Sequence, residues 1–342
     1  MSGGIDSSVA AALLKKQGFD VIGVFMKFWS EPAKNGICAK NRCCTPESEK
    51  RARTVAKKIG ILFYVFNFEK EFKKEVVDYF LKQQKLGLTP NPCVVCNKEI
   101  KLGLLLKKAL AFNADYVATG HYARITGGHK LLKGKDKNKD QSYVLWKLNQ
   151  KMLSHLLFPV GGYKKDEVRK LAKKFNLPVL DIPESQEICF IQTTVNNFLS
   201  RYLKLKPGKI IDIKGNILGK HNGLYFYTIG QRKGLNLSGG PFYVLDKDIK
   251  KNLLVVTKNE KDLYKKELIA KDINWLSGEE PKLPMKIKAK IRYRHEPDSA
   301  TIKRLGRGRY KVIFSKPQRA VTPGQSAVFY NNQEMLGGGV IA

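Results

Sequence analysis

The sequence is short of acid. Only 30 aspartates and glutamates stand against 63 lysines and arginines, leaving a formal charge of +33 over 342 residues. A folded surface so positive attracts polyanions and releases their counterions, with an affinity that falls as salt rises. The cations recur along the whole length, in 98–108, 130–139, 164–174, 247–266 and 282–319, instead of forming one tail. Any one such run is an ordinary solvated face; the overall excess is what points to nucleic acid. Long hydrophobic runs are also missing. No stretch reaches the ~18 apolar residues of a membrane span, and no signal-peptide pattern is recognised. No membrane partner is therefore expected, and the cytoplasm is the expected compartment. Internal repeats and low-complexity segments are absent, and 43% hydrophobic content over this length suits two or three domains with proper cores. Six cysteines in such a protein are read as reduced, and so available for catalysis or metal.

What is present begins at Ser2-Gly3-Gly4-Ile5-Asp6-Ser7-Ser8. Gly3 and Gly4 let the backbone turn tightly and lay its N–H groups against a phosphate chain, while Asp6, Ser7 and Ser8 open a helix whose N-terminus favours anions. Apolar Val9, Ala10, Leu13 and Leu14 continue it at helical spacing. The pattern resembles the PP-loop of ATP pyrophosphatases, which activate a substrate oxygen by adenylation. It does not fit G-x-x-x-x-G-K-[ST], because no lysine follows the glycines. In that family a buried parallel strand precedes the glycines, so a few apolar residues upstream of Met1 are expected.

The first half alternates strands and helices: 21–26, a helix from Pro46 to Ile59, an apolar run 61–66, a helix 69–84, and a helix 98–112 after Thr89-Pro90-Asn91-Pro92, which cannot be helix. Asp115–Thr119 reads as another buried strand ending at Gly120-His121. This order implies an α/β fold with a parallel sheet wound on both faces and ligands at the carboxyl ends of its strands, so that Gly120 and His121 sit beside the pyrophosphate loop. Helices are expected near 151–158, 164–176 and 196–202, and a polar loop at 181–186. Beyond Lys204 helical periodicity nearly vanishes. Three domains follow: 1–204, a central β-rich domain 205–265, and a C-terminal β-barrel-like domain 266–342. In the last, Ile287, Ala289, Ile291 and Tyr293 alternate with Lys286, Lys288, Lys290 and Arg292, which places one apolar face inward and four cations outward.

The second constellation is Asn91-Pro92-Cys93-Val94-Val95-Cys96-Asn97 together with Cys189. Cys96 at the start of the helix that contains Lys98 and Lys101 is a plausible thiolate nucleophile. Cys189, between a polar loop and Phe190-Ile191, suits a mobile element carrying its sulfur to Cys96. From spacing alone, redox or persulfide work, half a zinc site or a three-cysteine iron–sulfur site, and an inert core remain open. Cys38, Cys43 and Cys44 are read as structural.

Taken in order, the PP-loop, Gly23–Lys27, Cys43-Cys44, Thr89–Asn97, Ala118–Arg124, Lys139–Tyr143, Cys189-Phe190-Ile191 and Thr322–Ser326 resemble the bacterial tRNA-uridine 2-sulfurtransferases, across essentially the whole chain. Members thiolate the wobble uridine of the tRNAs for Lys, Glu and Gln. The resemblance implies that Ser2, Gly3, Gly4, Ile5, Asp6 and Ser7, with Met26 and Gly120, bind ATP with Mg²⁺, and that the uridine O2 attacks its α-phosphate. It implies further that Cys189 carries sulfur as a persulfide from a cysteine desulfurase or relay protein, and that Cys96 attacks that persulfide. Base contacts fall on Asn91, Pro92 and Cys93; tRNA contacts fall on His121, Lys139, Asp140, Gln141, Arg292, Tyr293 and Gln325; no resident metal is implied. Some members carry Asp where this chain has Cys93, which leaves a proton-handling role to Cys93, His121 or a water. The rival classes are a basic RNA-binding module without chemistry and another PP-loop ligase, neither of which needs paired cysteines.

Overall fold

The computed structural model describes residues 1–31, 44–179 and 188–342; Cys38, Cys43 and the polar loop 181–187 lie outside the described residues. Helix α1 (Ile5–Lys16) leads into β1 (Ile22–Lys27), and α2 (Pro46–Ile59) into β2 (Leu62–Asn67). The ends of α2 follow from its sequence: Thr45 Oγ1 accepts from the Ser48 N–H at 3.1 Å, Pro46 takes the first position, and Glu47 and Glu49 lie in the first turn.

Two longer helical spans, α3 (69–85) and α4 (92–111), each contain a wider π-wound stretch, Lys73–Asp78 and Cys96–Leu104. Pro92, expected outside any helix, is the first residue of α4. Its missing N–H would be unbonded there anyway, and Asn91 caps the turn by accepting from the Cys93 N–H at 3.1 Å.

Strand β3 (Val117–Ala118) is followed by the hairpin β4 (Ala123–Thr126) and β5 (Lys130–Lys133). The stretch 151–158, expected as one helix, divides into α5 (Gln150–Leu153) and β6 (Leu156–Leu157), because its last leucines pair with β3. The parallel strands described in this first region form two pairs, β1 with β2 and β3 with β6. Helices α6 (Lys165–Lys174) and α7 (Val195–Tyr202) complete the region.

The rest is β-rich. Strands β7 (Gly208–Ile211), β8 (Ile217–His221), β9 (Tyr243–Asp248) and β10 (Leu253–Thr257) form a sheet in the order β8-β7-β10-β9 around Ile210, Val244, Leu254 and Val256. Then β11 (Tyr264–Trp275), β12 (Met285–Lys290), β13 (Asp298–Gly306), β14 (Arg309–Arg319), β15 (Ser326–Asn331) and β16 (Glu334–Ile341) run in the order β11-β14-β13-β12-β15-β16. Pairing of β11 with β16 closes them into a six-stranded barrel. The β4–β5 hairpin extends this sheet, with Leu132 opposite Glu334.

The alternation expected on β12 holds only in part. Lys286 and Lys288 are exposed over buried Ile287 and Ala289, but Lys290 is itself buried and Tyr293 is 38% exposed. The strand ends at Lys290, so the period of two no longer governs Arg292 and Tyr293.

The segment after β5 ties the first domain to the barrel. Tyr143 and Trp146 are fully buried, the Tyr143 hydroxyl donating to Ser326 O and Trp146 Nε1 to Ser326 Oγ, both at 2.9 Å. Asn274 returns two bonds, its Nδ2 donating to Trp146 O at 2.7 Å and to Leu148 O at 2.8 Å. Trp146→Ala is expected to cost about 3–5 kcal/mol, as a buried aromatic leaves a cavity and an unpaired hydroxyl. Trp146→Phe should cost clearly less, which denaturant titration of both variants would check.

Candidate active site

The opening loop is shaped by close contact with α2. Gly3 has φ +72°, and a Cβ there would lie 2.3 Å from Ser48 O. Arg51, one turn along α2, donates from Nε to Gly3 O at 3.3 Å and from Nη2 to Ser48 Oγ at 3.2 Å. Gly4 precedes α1 in an extended conformation, and no side chain caps the helix, so its first N–H groups remain for an anion. Ile5 is buried beneath the loop. Ser7 and Ser8 both turn their hydroxyls back to Gly4 O, at 3.2 and 2.8 Å, and Ser7 Oγ also accepts from the Ser2 N–H at 3.1 Å. Gly120 lies against this turn: a Cβ there would be 2.7 Å from the Ser7 nitrogen, so a side chain would cover the N–H an anion needs. Met26, at the carboxyl end of β1 opposite Phe66, packs on the main apolar cluster.

Asp6 does not face outward as a helix-opening acid. Its carboxylate accepts from Lys165 Nζ at 2.7 and 2.9 Å and from the Tyr122 hydroxyl at 2.7 Å. The Lys165 side chain is only 6% exposed. Neither Lys165 nor Arg51 was marked by the sequence: each lies in a run of cations, and only the fold distinguishes it from its neighbours.

His121 follows Gly120, its Nδ1 2.8 Å from Thr119 Oγ1 and its ring edge-on to Phe158 at 5.8 Å. Burial first, and then the Lys101 cation, lower its pKa to about 3. It is therefore a neutral hydrogen-bonding group near pH 7, unsuited to pairing with a phosphate by charge.

Cys93 is exposed in the first turn of α4, while Cys96, expected at the helix start, is buried a turn further in and 6% exposed. The position where a helix N-terminus acts on a thiol belongs to Cys93. Cys96 belongs to the apolar cluster against which Cys189 packs. Phe190, next to Cys189, is fully buried in edge contacts with Phe72, Phe80 and Phe198 at 5.5–5.9 Å. Cys44 bonds locally, accepting from the Phe28 N–H at 3.3 Å. Among the described residues no three His, Cys, Asp or Glu side chains converge as a metal site, Cys93, Cys96 and Cys189 included.

The segment before α4 is clasped by the barrel. The Thr89 N–H donates to Pro323 O at 2.9 Å, and Gln325 Nε2 donates to Thr89 O at 2.8 Å. Gln325, expected to face tRNA, thus spends its amide holding the Asn91-Pro92-Cys93 turn. Asp140 is likewise internal: it is 8% exposed and accepts from the Gly134 and Ser142 N–H groups and the Ser142 hydroxyl at 2.9–3.1 Å. Gln141 Oε1 accepts from the Tyr122 N–H at 3.0 Å. Arg292 donates to Ala320 O at 2.8 Å. Lys139 is half-exposed, and Tyr293 is the more open member of the set. Partial burial, then Asp140 and Cys93, push the Tyr293 hydroxyl up to about 12. Tyr293 therefore stays protonated.

Comparison with known proteins covers the same ground. Residues 1–193 match the family described as tRNA methyl transferase HUP domain, 196–258 its PRC-barrel domain, and 265–341 the aminomethyltransferase beta-barrel domain. A Clostridioides difficile (strain 630) protein described as tRNA-specific 2-thiouridylase MnmA is 48% identical over 100% of this chain and 96% of its own length. A protein of Thermoanaerobacter sp. (strain X514) with that description matches equally, at 48% over the same shares. One from Carboxydothermus hydrogenoformans is 46% identical over 100% of this chain and 96% of itself.

Asp6→Ala would remove the carboxylate that accepts from the Lys165 ammonium and the Tyr122 hydroxyl. Because the Asp6 side chain is 30% exposed, water offsets part of the loss, and about 2 kcal/mol of destabilisation is expected by denaturant titration, with Lys165→Met milder. His121 is neutral in the folded state and titrates near 6.5 when unfolded. Its contribution is fully present above about pH 6.5 and is lost as pH falls toward 3, by about 1.4 kcal/mol per pH unit. His121→Asn should therefore show a shallower acid dependence of stability than the parent chain.

Proposed function

The chain belongs to the family of tRNA-specific 2-thiouridylases, and on that premise we propose how its residues divide the replacement of the uridine C2 oxygen by sulfur. ATP enters as a substrate and supplies the adenylyl group that makes O2 of the wobble uridine a leaving group. Gly3, Gly4 and the uncapped N–H groups of α1 hold its phosphates, with Ser2, Ile5, Asp6, Ser7, Met26 and Gly120 shaping the cradle. Lys165, through Asp6, fixes the angle at which α1 presents those groups. Mg²⁺ suits this set as an ion carried on the nucleotide phosphates, since Asp6 is engaged and Mg²⁺ commonly keeps waters and takes one or two carboxylates.

Cys189 receives sulfur as a persulfide from a cysteine desulfurase or relay protein. The Cys96 thiolate then attacks the Cys189 sulfur. In one order this releases hydrosulfide, which adds to C2 as AMP leaves. In the other, the terminal persulfide sulfur adds to C2 first, and Cys96 cleaves the S–S bond afterwards. Both leave a Cys96–Cys189 disulfide, which an external thiol reduces. Asn91, Pro92 and Cys93 meet the base, while His121, Lys139, Gln141, Arg292 and Tyr293 lie around the tRNA. Asp140 and Gln325 serve as positioning residues. The chain divides into a catalytic domain 1–204, a central domain 205–265 and a tRNA-binding barrel 266–342, working in the cytoplasm.

The observation that supports this reading is that Cys96 and Cys189 pack on one apolar cluster, with Phe190 anchoring the second cysteine. The test is mass spectrometry of tRNA nucleosides after incubation with ATP, Mg²⁺ and a persulfide donor without oxygen. A gain of one sulfur at the wobble uridine is expected from the parent chain. Cys96→Ser and Cys189→Ser should abolish it, by at least 100-fold, while leaving tRNA binding intact. Sulfur transfer that survives either serine would overturn the assignment.

A further inference from the structure

We propose that the outer face of the C-terminal barrel holds the tRNA sugar-phosphate backbone, along a track of Lys266, Lys286 and Lys288 beside the hydroxyls of Ser299, Thr301 and Ser315. This rests on tRNA being the substrate. The strand register builds the track: Lys286 lies opposite Thr301 and Lys288 opposite Ser299 across β12 and β13, and Ala300 opposite Phe314 brings Ser315 beside Ser299. Residues directly opposite share a face of the sheet, so cations and hydroxyls point the same way. They line a groove of about 550 Å³ in which no carboxylate takes part.

Among the described residues none of the three lysines forms an ion pair, whereas Lys311 and Lys130, on the neighbouring β14 and β5, are paired with Glu267 at 2.9 Å and Glu334 at 3.3 Å. Unneutralised ammonium groups sharing one concavity repel each other, and a polyanion removes that cost. Ordinary solvated lysines need neither the concavity nor the hydroxyls.

The track also leads to the candidate site. The next residue on the same side of β12 is buried Lys290, whose Nζ is 5.9 Å from the ring centroids of both Tyr143 and Tyr293. Lys133 stands 4.4 Å over Tyr330, which lies opposite Lys288. The nearby acids Asp140 and Glu296 act on Lys290 and Lys133 at this buried end, while at the exposed end Glu267, opposite Ile313 at the edge of the groove, is taken up by Lys311. Tyr293, 38% exposed and 6.0 Å from the Tyr143 ring, ends the track where an unstacked base could lie on its ring. That continuity favours RNA over an acidic protein as the occupant.

The test titrates the full chain with a labelled tRNA transcript at several salt concentrations. For the Lys286→Gln, Lys288→Gln double variant, affinity should fall about tenfold at moderate salt, and the slope of log affinity against log salt should shrink by about two, alike for tRNAs of different sequence. Lys286→Arg with Lys288→Arg should restore both. In the thiolation assay KM for tRNA should rise with kcat retained. Unchanged affinity and slope in a glutamine variant with the parent melting temperature would overturn the proposal. So would a loss confined to binding of the persulfide-donating protein, which would give this face to an acidic partner. If the parent chain binds tRNA with the expected slope change but transfers no sulfur, the thiolation reading fails and the backbone track stands.

Discussion

The carboxylate of Asp6 joins three parts of the first domain that are far apart in sequence. It stands in the first turn of α1, and its partners are Lys165 at the start of α6 and Tyr122 just beyond β3. A lysine as buried as Lys165 is tolerable only with its counter-charge in place, because an unpaired buried charge costs several kcal/mol. The pair holds the first turn of α1 against the start of α6 and the turn after β3. The glycine turn before α1 inherits its geometry from this tie and from the contact of Gly3 with Ser48.

A second constraint comes from the other end of the chain. Thr89 is held through its N–H and its carbonyl by Pro323 and Gln325, so the turn that starts α4 is positioned by the barrel. The β4–β5 hairpin joins the barrel's sheet, and Tyr143 and Trp146 are buried against Ser326. Cys93 and Cys96 thus belong to a helix whose foundation is shared between the nucleotide-binding fold and the barrel. Such an arrangement ties the start of α4 to the barrel as well as to its own domain. Polar residues of the resemblance motifs take part in such ties: Asp140 is buried, and the half-buried Gln325 bonds Thr89 O. They hold segments that must be in place before a substrate can meet them.

Much of this was legible in the chain itself. Pro46, the acids after it and the apolar spacing fixed α2 to the residue, since a helix with its own cap and first-turn charges declares its ends locally. Runs such as 61–66 identified strands for the same reason. The motifs, read in order, identified the family. Other expectations failed where a distant partner intervened. Leu156 and Leu157 became strand because β3 was there to pair with them. Lys290 is buried, although it keeps the side of Lys286 and Lys288, because Tyr143 and Tyr293 lie beside its ammonium. Cys96 lay deeper than expected because the helix began at Pro92, capped by Asn91.

The sequence by itself determined the charge excess, the alternation of helices and strands, the glycine turn that opens α1, and the ordered motifs that identify the family. These depend on composition, periodicity and backbone freedom, which are properties of neighbours along the chain. Only the tertiary structure decided which lysine among many pairs with Asp6, and which polar motif residues turn inward. It alone closed six strands into a barrel whose lysines share one groove. Those outcomes rest on desolvation and on contacts between residues a hundred or more positions apart, where the local pattern of one cation is the same as that of the next.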